Sequence, residues 1–324
     1  MDYKNLGNSG LKVSIVGLGC MNFHTMNDKA ESAEIVEKAL ELGVNLFDVA
    51  DVYGDRGKSE EYLGEALGAR RPEVIVATKF AGPMSDERSD MMGGSRRYIM
   101  QAVEASLKRL NTDYIDLYQI HFYDTSTPVE ETLRALDDLV TQGKIRYYGC
   151  SNYNGWQIAD AAWTARTANL NGYVSAQNRY SLLTRGLEKD VLPACEKFGL
   201  GILPYFPLES GLLTGKYRKG ESFPEGTRLK KWETFAAGAF ASDEKFDKAE
   251  ALREVAERYD HSLLDIAMGW LASRPHVSSV IAGVTSIAQL EQNAAAGHWR
   301  GSDEELKEID KITALPVEGF GPRR

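Results

Sequence analysis

Short runs of β-branched and aliphatic residues recur along the chain at 14–18, 44–47, 74–77, 115–120, 145–150, 174–176, 201–204 and 277–281. Each run is compact enough to be a strand buried on both faces. Between them lie stretches with apolar residues every three to four positions, the spacing of one helix face. These cover 30–42, 60–67, 97–110, 129–141, 157–166, 187–198, 247–259 with 263–272, and 287–295. Gly43 and Gly143 stand where a helix C-terminus wants a left-handed residue, and Pro128 suits a first helical position. Ahead of the first unit, the turn Gly7-Asn8-Ser9-Gly10 separates two short extended segments, which predicts a β-hairpin. Eight strand–helix units predict an α/β fold of the (β/α)8 TIM-barrel kind, and an open doubly wound sheet is the alternative. No linker or low-complexity segment interrupts the pattern, so residues 1–324 are expected to form a single domain. Two long loops stand out, 81–95 after the third strand and 209–242 after the seventh, and loops of that length usually carry function.

Composition narrows the partners. The hydrophobic fraction is 43% and the charged fraction 26%, and the net charge is −9. A net acidic surface disfavours nucleic acid and anionic lipid, both of which require clustered cations. No apolar stretch is long enough to span a bilayer, and the N-terminus lacks a secretory pattern. Cys20, Cys150 and Cys195 show neither metal-ligand nor disulfide spacing, so they read as buried thiols of a cytoplasmic protein with no metal.

In a barrel, residues just past the C-terminal strand ends face the active site. Those positions hold Asp48, Tyr53, Lys79 and His121. Taken singly, each has an ordinary structural explanation. Together they form a chemical set. A phenol is a poor proton donor at neutral pH, an ammonium beside it lowers its pKa, a carboxylate keeps that ammonium charged, and an imidazole can orient a substrate oxygen. Proton-coupled carbonyl reduction needs this set and a hydride source.

The segments carrying these residues resemble the aldo-keto reductases, in the branch that includes potassium-channel β-subunits and bacterial reductases. NLFDVADVYGDRGKSEEYLGEAL carries Asp48 and Tyr53, VIVATK carries Lys79, and YIDLYQIHFYD carries His121. GKIRYYGCSNYNGWQI, PYFPLESGLLTGKY and VIAGVTSIAQLEQNAAA resemble the family's cofactor-binding signatures. The likeness runs from the hairpin to about Ala295.

The resemblance implies reduction of an aldehyde or ketone to an alcohol by hydride from NADPH. Tyr53 would be the general acid, tuned by Lys79 and Asp48, and His121 would orient the carbonyl. Ser151, Asn152 and Gln177, with Asp48 nearby, would hold the carboxamide. Tyr205 would stack on the nicotinamide, and Phe206, Pro207, Leu208, Ser210 and Gly211 would form the pyrophosphate loop. Lys216 and Arg228 would clasp phosphates. Gly283, Thr285, Ser286, Gln289, Gln292 and Asn293 would hold the adenosine end. Many relatives carry a basic residue where Ser286 stands and a glutamate where Gln292 stands, which leaves NADH open beside NADPH. Glu209 is expected to point away from phosphate, because a carboxylate facing it would be repelled.

Gly17-Leu18-Gly19 imitates a dinucleotide fingerprint, but Asn22 occupies the third glycine's place. Gly19, Met21 and Phe23 are read instead as first-loop residues near the cofactor or substrate, with Tyr123, Trp232, loop 81–95 and the tail after Ala314 as further pocket walls. Lys79, Lys216 and Arg228 should make the mouth of the barrel locally positive. The expected partner is a small carbonyl or alcohol, and oligomeric state is not legible.

Two rival readings stand beside this one. Lys79 could form a Schiff base as in an aldolase, although Asp48 opposes the low pKa that role needs. The channel-subunit likeness motivates an NADPH-binding regulatory or redox-sensor subunit with slow turnover. The barrel pattern begins directly after the hairpin, leaving no docking arm, so a free-standing enzyme is expected.

Overall fold

The computed structural model describes residues 1–231 and 240–315. The hairpin forms as expected, β1 (Tyr3–Asn5) running antiparallel to β2 (Lys12–Ser14) with Tyr3 opposite Ser14. Its turn requires glycine: Gly7 has φ +54, and a Cβ there would lie 2.5 Å from the backbone of Gly199 and of Gly201. The hairpin closes the bottom of the barrel, where Leu6 and Val13 are fully buried in one cluster with Leu46, Ile75, Leu117 and Leu203.

Eight parallel strands follow: β3 (Val16–Gly19), β4 (Leu46–Asp48), β5 (Ile75–Phe80), β6 (Ile115–Ile120), β7 (Ile145–Ser151), β8 (Ser175–Gln177), β9 (Gly201–Ile202) and β10 (Val280–Gly283). Their order is β10-β3-β4-β5-β6-β7-β8-β9. The two ends meet. Ile202 N–H donates to the His276 carbonyl at 2.8 Å, Ser278 N–H to Ile202 at 3.0 Å and Ile281 N–H to Pro204 at 2.9 Å. The (β/α)8 barrel is therefore closed rather than an open sheet.

Several boundaries differ from expectation, three of them for a visible reason. Ser14 pairs within the hairpin, so the first barrel strand starts at Val16. The run 277–281 is shared: Val277 bridges Ile202, and the ladder to β3 begins only at Val280. This stagger is the tilt a closed barrel demands. Pro128 caps its helix from outside, with φ −56 and ψ 132, and the helix runs Val129–Thr141.

The helices pack outside the sheet, and several of them start on side-chain caps. Asp28 and Asn154 form capping boxes for Lys29–Glu41 and Gly155–Thr167, and Ser95 caps Arg96–Arg109. Gly43 and Gly143 end their helices with φ of 76 and 74, as expected. All three cysteines are buried and free. Among the described residues, no helix is long and apolar enough to cross a membrane, and no cluster of His, Cys, Asp and Glu could hold a metal.

Candidate functional site

The strand ends bring Asp48, Tyr53, Lys79 and His121 together. Lys79 is one residue from the end of β5, and its side chain is fully buried. Its Nζ donates to Asp48 Oδ2 at 2.7 Å and to the Val49 carbonyl at 2.9 Å. Asp48 Oδ1 accepts from Gln177 Nε2 at 2.7 Å and from Gln119 Nε2 at 3.5 Å. Both charges are thus paired and hydrogen-bonded, the condition for keeping them in a dry interior. Burial presses on the Lys79 ammonium, but Asp48 and Tyr53 outweigh it and hold its pKa above the ordinary value. That removes the physical basis of a Schiff-base lysine, which must lose its proton readily.

Tyr53 stands just before a left-handed stretch, Gly54 to Gly57, that leads into the helix ending at Leu67. The Lys79 ammonium lies 5.1 Å from the centre of its ring. Burial raises the Tyr53 pKa, and Lys79 opposes that only in part. The net direction is therefore opposite to the lowering expected from Lys79 alone. A phenol held this way keeps its proton at neutral pH. The His121 ring stands edge-on to Tyr53, centroids 5.8 Å apart at 81°, and stacks on Phe122 at 4.4 Å. Burial, aided by the Lys79 charge, pushes its pKa down to about 3. The imidazole is neutral, and its buried Nδ1 has no hydrogen-bond partner.

Asp48, Tyr53 and His121 open onto a cavity of about 840 Å³. Its wall includes Gly19 at the end of β3 with Met21 beyond it, Ser151 at the end of β7 with Asn152 beyond it, and Gln177 at the end of β8. The segment after β9 contributes Tyr205, Phe206, Pro207, Leu208, Ser210, Gly211, Lys216 and Arg228. Gly283, Thr285, Gln289, Gln292 and Asn293 close the far side. Asn152 adopts φ 59, donates to the His121 carbonyl at 3.1 Å and accepts the Tyr205 hydroxyl at 2.6 Å, so the loops after β6, β7 and β9 are tied to one another. Gln177 gives one of its two side-chain N–H groups to Asp48, which leaves its Oε1 as an acceptor and its second N–H as a donor for a ligand.

The wall also suits an anion. Lys216 and Arg228 are both held below their ordinary basicity, by burial first and, for Lys216, by the Arg228 charge. The Ser210 hydroxyl is buried with no partner, an orphan that asks for one. Glu209 turns away as expected and is fully enclosed.

Several expected residues lie elsewhere. Phe23 is 1% exposed and belongs to the hydrophobic core. Tyr123 does not line the cavity; it packs edge-on against Tyr153 and Trp156. Its neighbour Phe122 lines the cavity instead. Ser286 is exposed and caps helix Ile287–Ala296 without forming part of the wall. Lys79 sits beneath the wall and is neutralised by Asp48, so it adds nothing to the charge of the mouth, to which Glu225 contributes a carboxylate. Trp232 and the chain beyond 315 lie outside the described residues.

Others were not anticipated. Gln119 shares Asp48 with Gln177. Asn22, set aside as a missing glycine, accepts from Arg228 at 2.6 Å and donates to the Val284 carbonyl at 2.9 Å. Val52, Met26 and Leu264 complete the apolar wall. For Gln119 the signal was legible, since it lies two residues before His121 on a strand and so faces the same side. Asn22 has no such signal.

Comparison with known proteins gives a consistent result. A family model described as "Aldo/keto reductase family" matches residues 15–314. A protein of Arabidopsis thaliana named "Probable voltage-gated potassium channel subunit beta" is 37% identical over 305 residues, covering 91% of each chain. "Uncharacterized oxidoreductase YrpG" of Bacillus subtilis is 36% identical over 325 residues, covering 98% of this chain and 97% of its own. "Versiconal hemiacetal acetate reductase" of Aspergillus parasiticus is 31% identical over 338 residues, covering 96% of each.

Proposed function

The chain belongs to the aldo/keto reductase family, whose relatives include proteins named as oxidoreductases, and from that premise we propose that it reduces an aldehyde or ketone with NADPH. The reading takes residues 1–324 as one catalytic domain of a cytoplasmic enzyme. The observation that carries it is a protonated Tyr53 and a neutral His121 side by side at a cavity whose wall also holds the orphaned Ser210 hydroxyl, Lys216 and Arg228.

The nicotinamide ring supplies the hydride when the dinucleotide is bound. This chain's own residues do the rest. Tyr53 delivers a proton from its hydroxyl to the carbonyl oxygen, and in the reverse direction takes it back. Lys79 stabilises the phenolate that Tyr53 becomes, offsetting the burial that makes ionisation costly. Asp48 keeps Lys79 charged and aimed. His121, neutral, donates a hydrogen bond to the carbonyl oxygen without competing as an acid, and with Tyr53 forms an oxyanion-type site. Ser151, Asn152 and Gln177 bind the carboxamide, and Tyr205, fixed by Asn152, supports the ring. Ser210, Gly211, Lys216 and Arg228 receive the pyrophosphate, while Thr285, Gln289, Gln292 and Asn293 hold the adenosine end. Val52, Met26 and Phe122 favour a carbonyl compound with an apolar body.

A panel of aldehydes and ketones assayed with NADPH and NADH in parallel tests this reading. Turnover with at least one carbonyl, and tighter binding of NADPH, support it; binding of neither dinucleotide contradicts it.

The relative named as a potassium-channel β subunit favours a second reading, an NADPH-binding regulatory subunit. Dinucleotide binding without appreciable steady-state turnover on the whole panel selects it.

A further inference from the structure

Glu209 belongs to the loop whose other residues face the cavity, yet its carboxylate is fully enclosed on the opposite side. Oε2 accepts from Arg179 Nη2 at 2.6 Å and from Lys245 Nζ at 2.7 Å, and Oε1 accepts from the Ser181 hydroxyl at 2.8 Å. These partners come from two separate parts of the fold. Arg179 and Ser181 follow β8, directly after Gln177, and Lys245 lies in the first turn of helix Asp243–Arg258.

The loop needs such an anchor. Phe206, Glu209 and Ser210 adopt φ of 51, 46 and 56, a region that residues with side chains avoid. Conformations of that kind persist only where the surroundings over-determine them. Leu208, Ser210 and Gly211, the neighbours of Glu209, form the cavity wall, so their placement depends on what holds the carboxylate behind them.

We propose that Glu209 is a positioning residue that locks the phosphate-facing loop in its binding shape through Arg179 and Lys245, and thereby sets how tightly and how long the dinucleotide is held. The proposal rests on the reading that this cavity takes NADPH or NADH. Glu209 touches no ligand; it acts through Ser210 and Gly211. Without its carboxylate, two cations lose the anion they share, and the left-handed run loses its three-point attachment.

The test measures the NADPH dissociation constant and release rate by fluorescence for the wild type, Glu209→Gln, Lys245→Met and the double variant, with thermal unfolding and the carbonyl KM alongside. Lys245→Met, at the edge of the cluster, keeps the test valid if Glu209→Gln folds poorly. Each single variant is expected to weaken NADPH about tenfold, mainly by faster release, with the carbonyl KM within about twofold of wild type. The double variant is expected to bind no more weakly than Glu209→Gln alone, because both changes break one cluster. Dissociation constants within about twofold of wild type in both single variants overturn the proposal whatever happens to Tm, because that is the outcome of a purely structural ion pair. Fully additive effects overturn it as well. A wild type that binds neither dinucleotide defeats the reading of the cavity itself, which separates the two failures.

Discussion

His121 shows how strongly position overrides the ordinary chemistry of a side chain. An imidazole free in water titrates near pH 6.5, whereas this one is pushed down to about 3 by burial and by Lys79. Between those values the unfolded chain binds a proton that the native state refuses, so acidification costs stability through that window. Denaturant unfolding of wild type and His121→Asn should therefore diverge below about pH 6.5, the wild type losing up to about 1.4 kcal/mol per unit more. Parallel acid limbs would show that the imidazole is not buried neutral. Asp51 makes the converse case. It is 1% exposed, neither carboxylate oxygen has a hydrogen-bond partner, and burial, followed by the charge of Glu60, raises its pKa well above the usual carboxylate range. Here the unfolded chain ionises first, so stability falls as pH rises above about 4. Asp51→Asn should gain stability relative to wild type as the pH rises above about 4, and a difference that does not change with pH would refute it. Among individual residues, those of the proposed tetrad were legible because each lies at or shortly after the end of a recognisable strand. The choice of Phe122 over Tyr123 was not, because adjacent loop residues carry no periodicity to say which one turns inward. Nor was the net direction of the Tyr53 shift, which required knowing that burial exceeds the influence of Lys79.

The strands were legible as apolar runs, but their bounds depended on partners the sequence does not display. Ser14 goes to the hairpin and Val277 to β9 because those are the neighbours that barrel closure supplies. Close approach between strands is equally invisible locally. Gly149 on β7 is an example: a Cβ there would lie 2.2 Å from Ser175 Oγ and 3.0 Å from the Ser175 carbonyl. Gly149→Ala must displace the Ser175 side chain and press on the Ser175 carbonyl, at a cost of about 1–3 kcal/mol. Because β7 ends in Ser151, the same change should weaken NADPH binding, read as a higher dissociation constant alongside a lower Tm. A Tm and an affinity both equal to wild type would mean the strands tolerate the methyl group.

At the scale of the whole molecule, closure into a barrel is what turns scattered strand ends into one site. The net charge of −9 argued against polyanionic partners and was silent about an anion of the size a single cavity can hold. The structure sharpens the expected positive mouth to Lys216 and Arg228, since Lys79 is cancelled by Asp48. If Tyr53 is the proton donor of a dinucleotide-dependent carbonyl reduction, its removal must slow the chemical step. The most direct measurement is the steady-state rate of NADPH oxidation by Tyr53→Phe beside wild type, on the best carbonyl of the panel, with NADPH affinity measured in parallel. The expected result is a fall in kcat of about a hundredfold to ten-thousandfold with affinity preserved. A variant within about threefold of the wild-type kcat would contradict it, because the loss of a general acid is far larger than that.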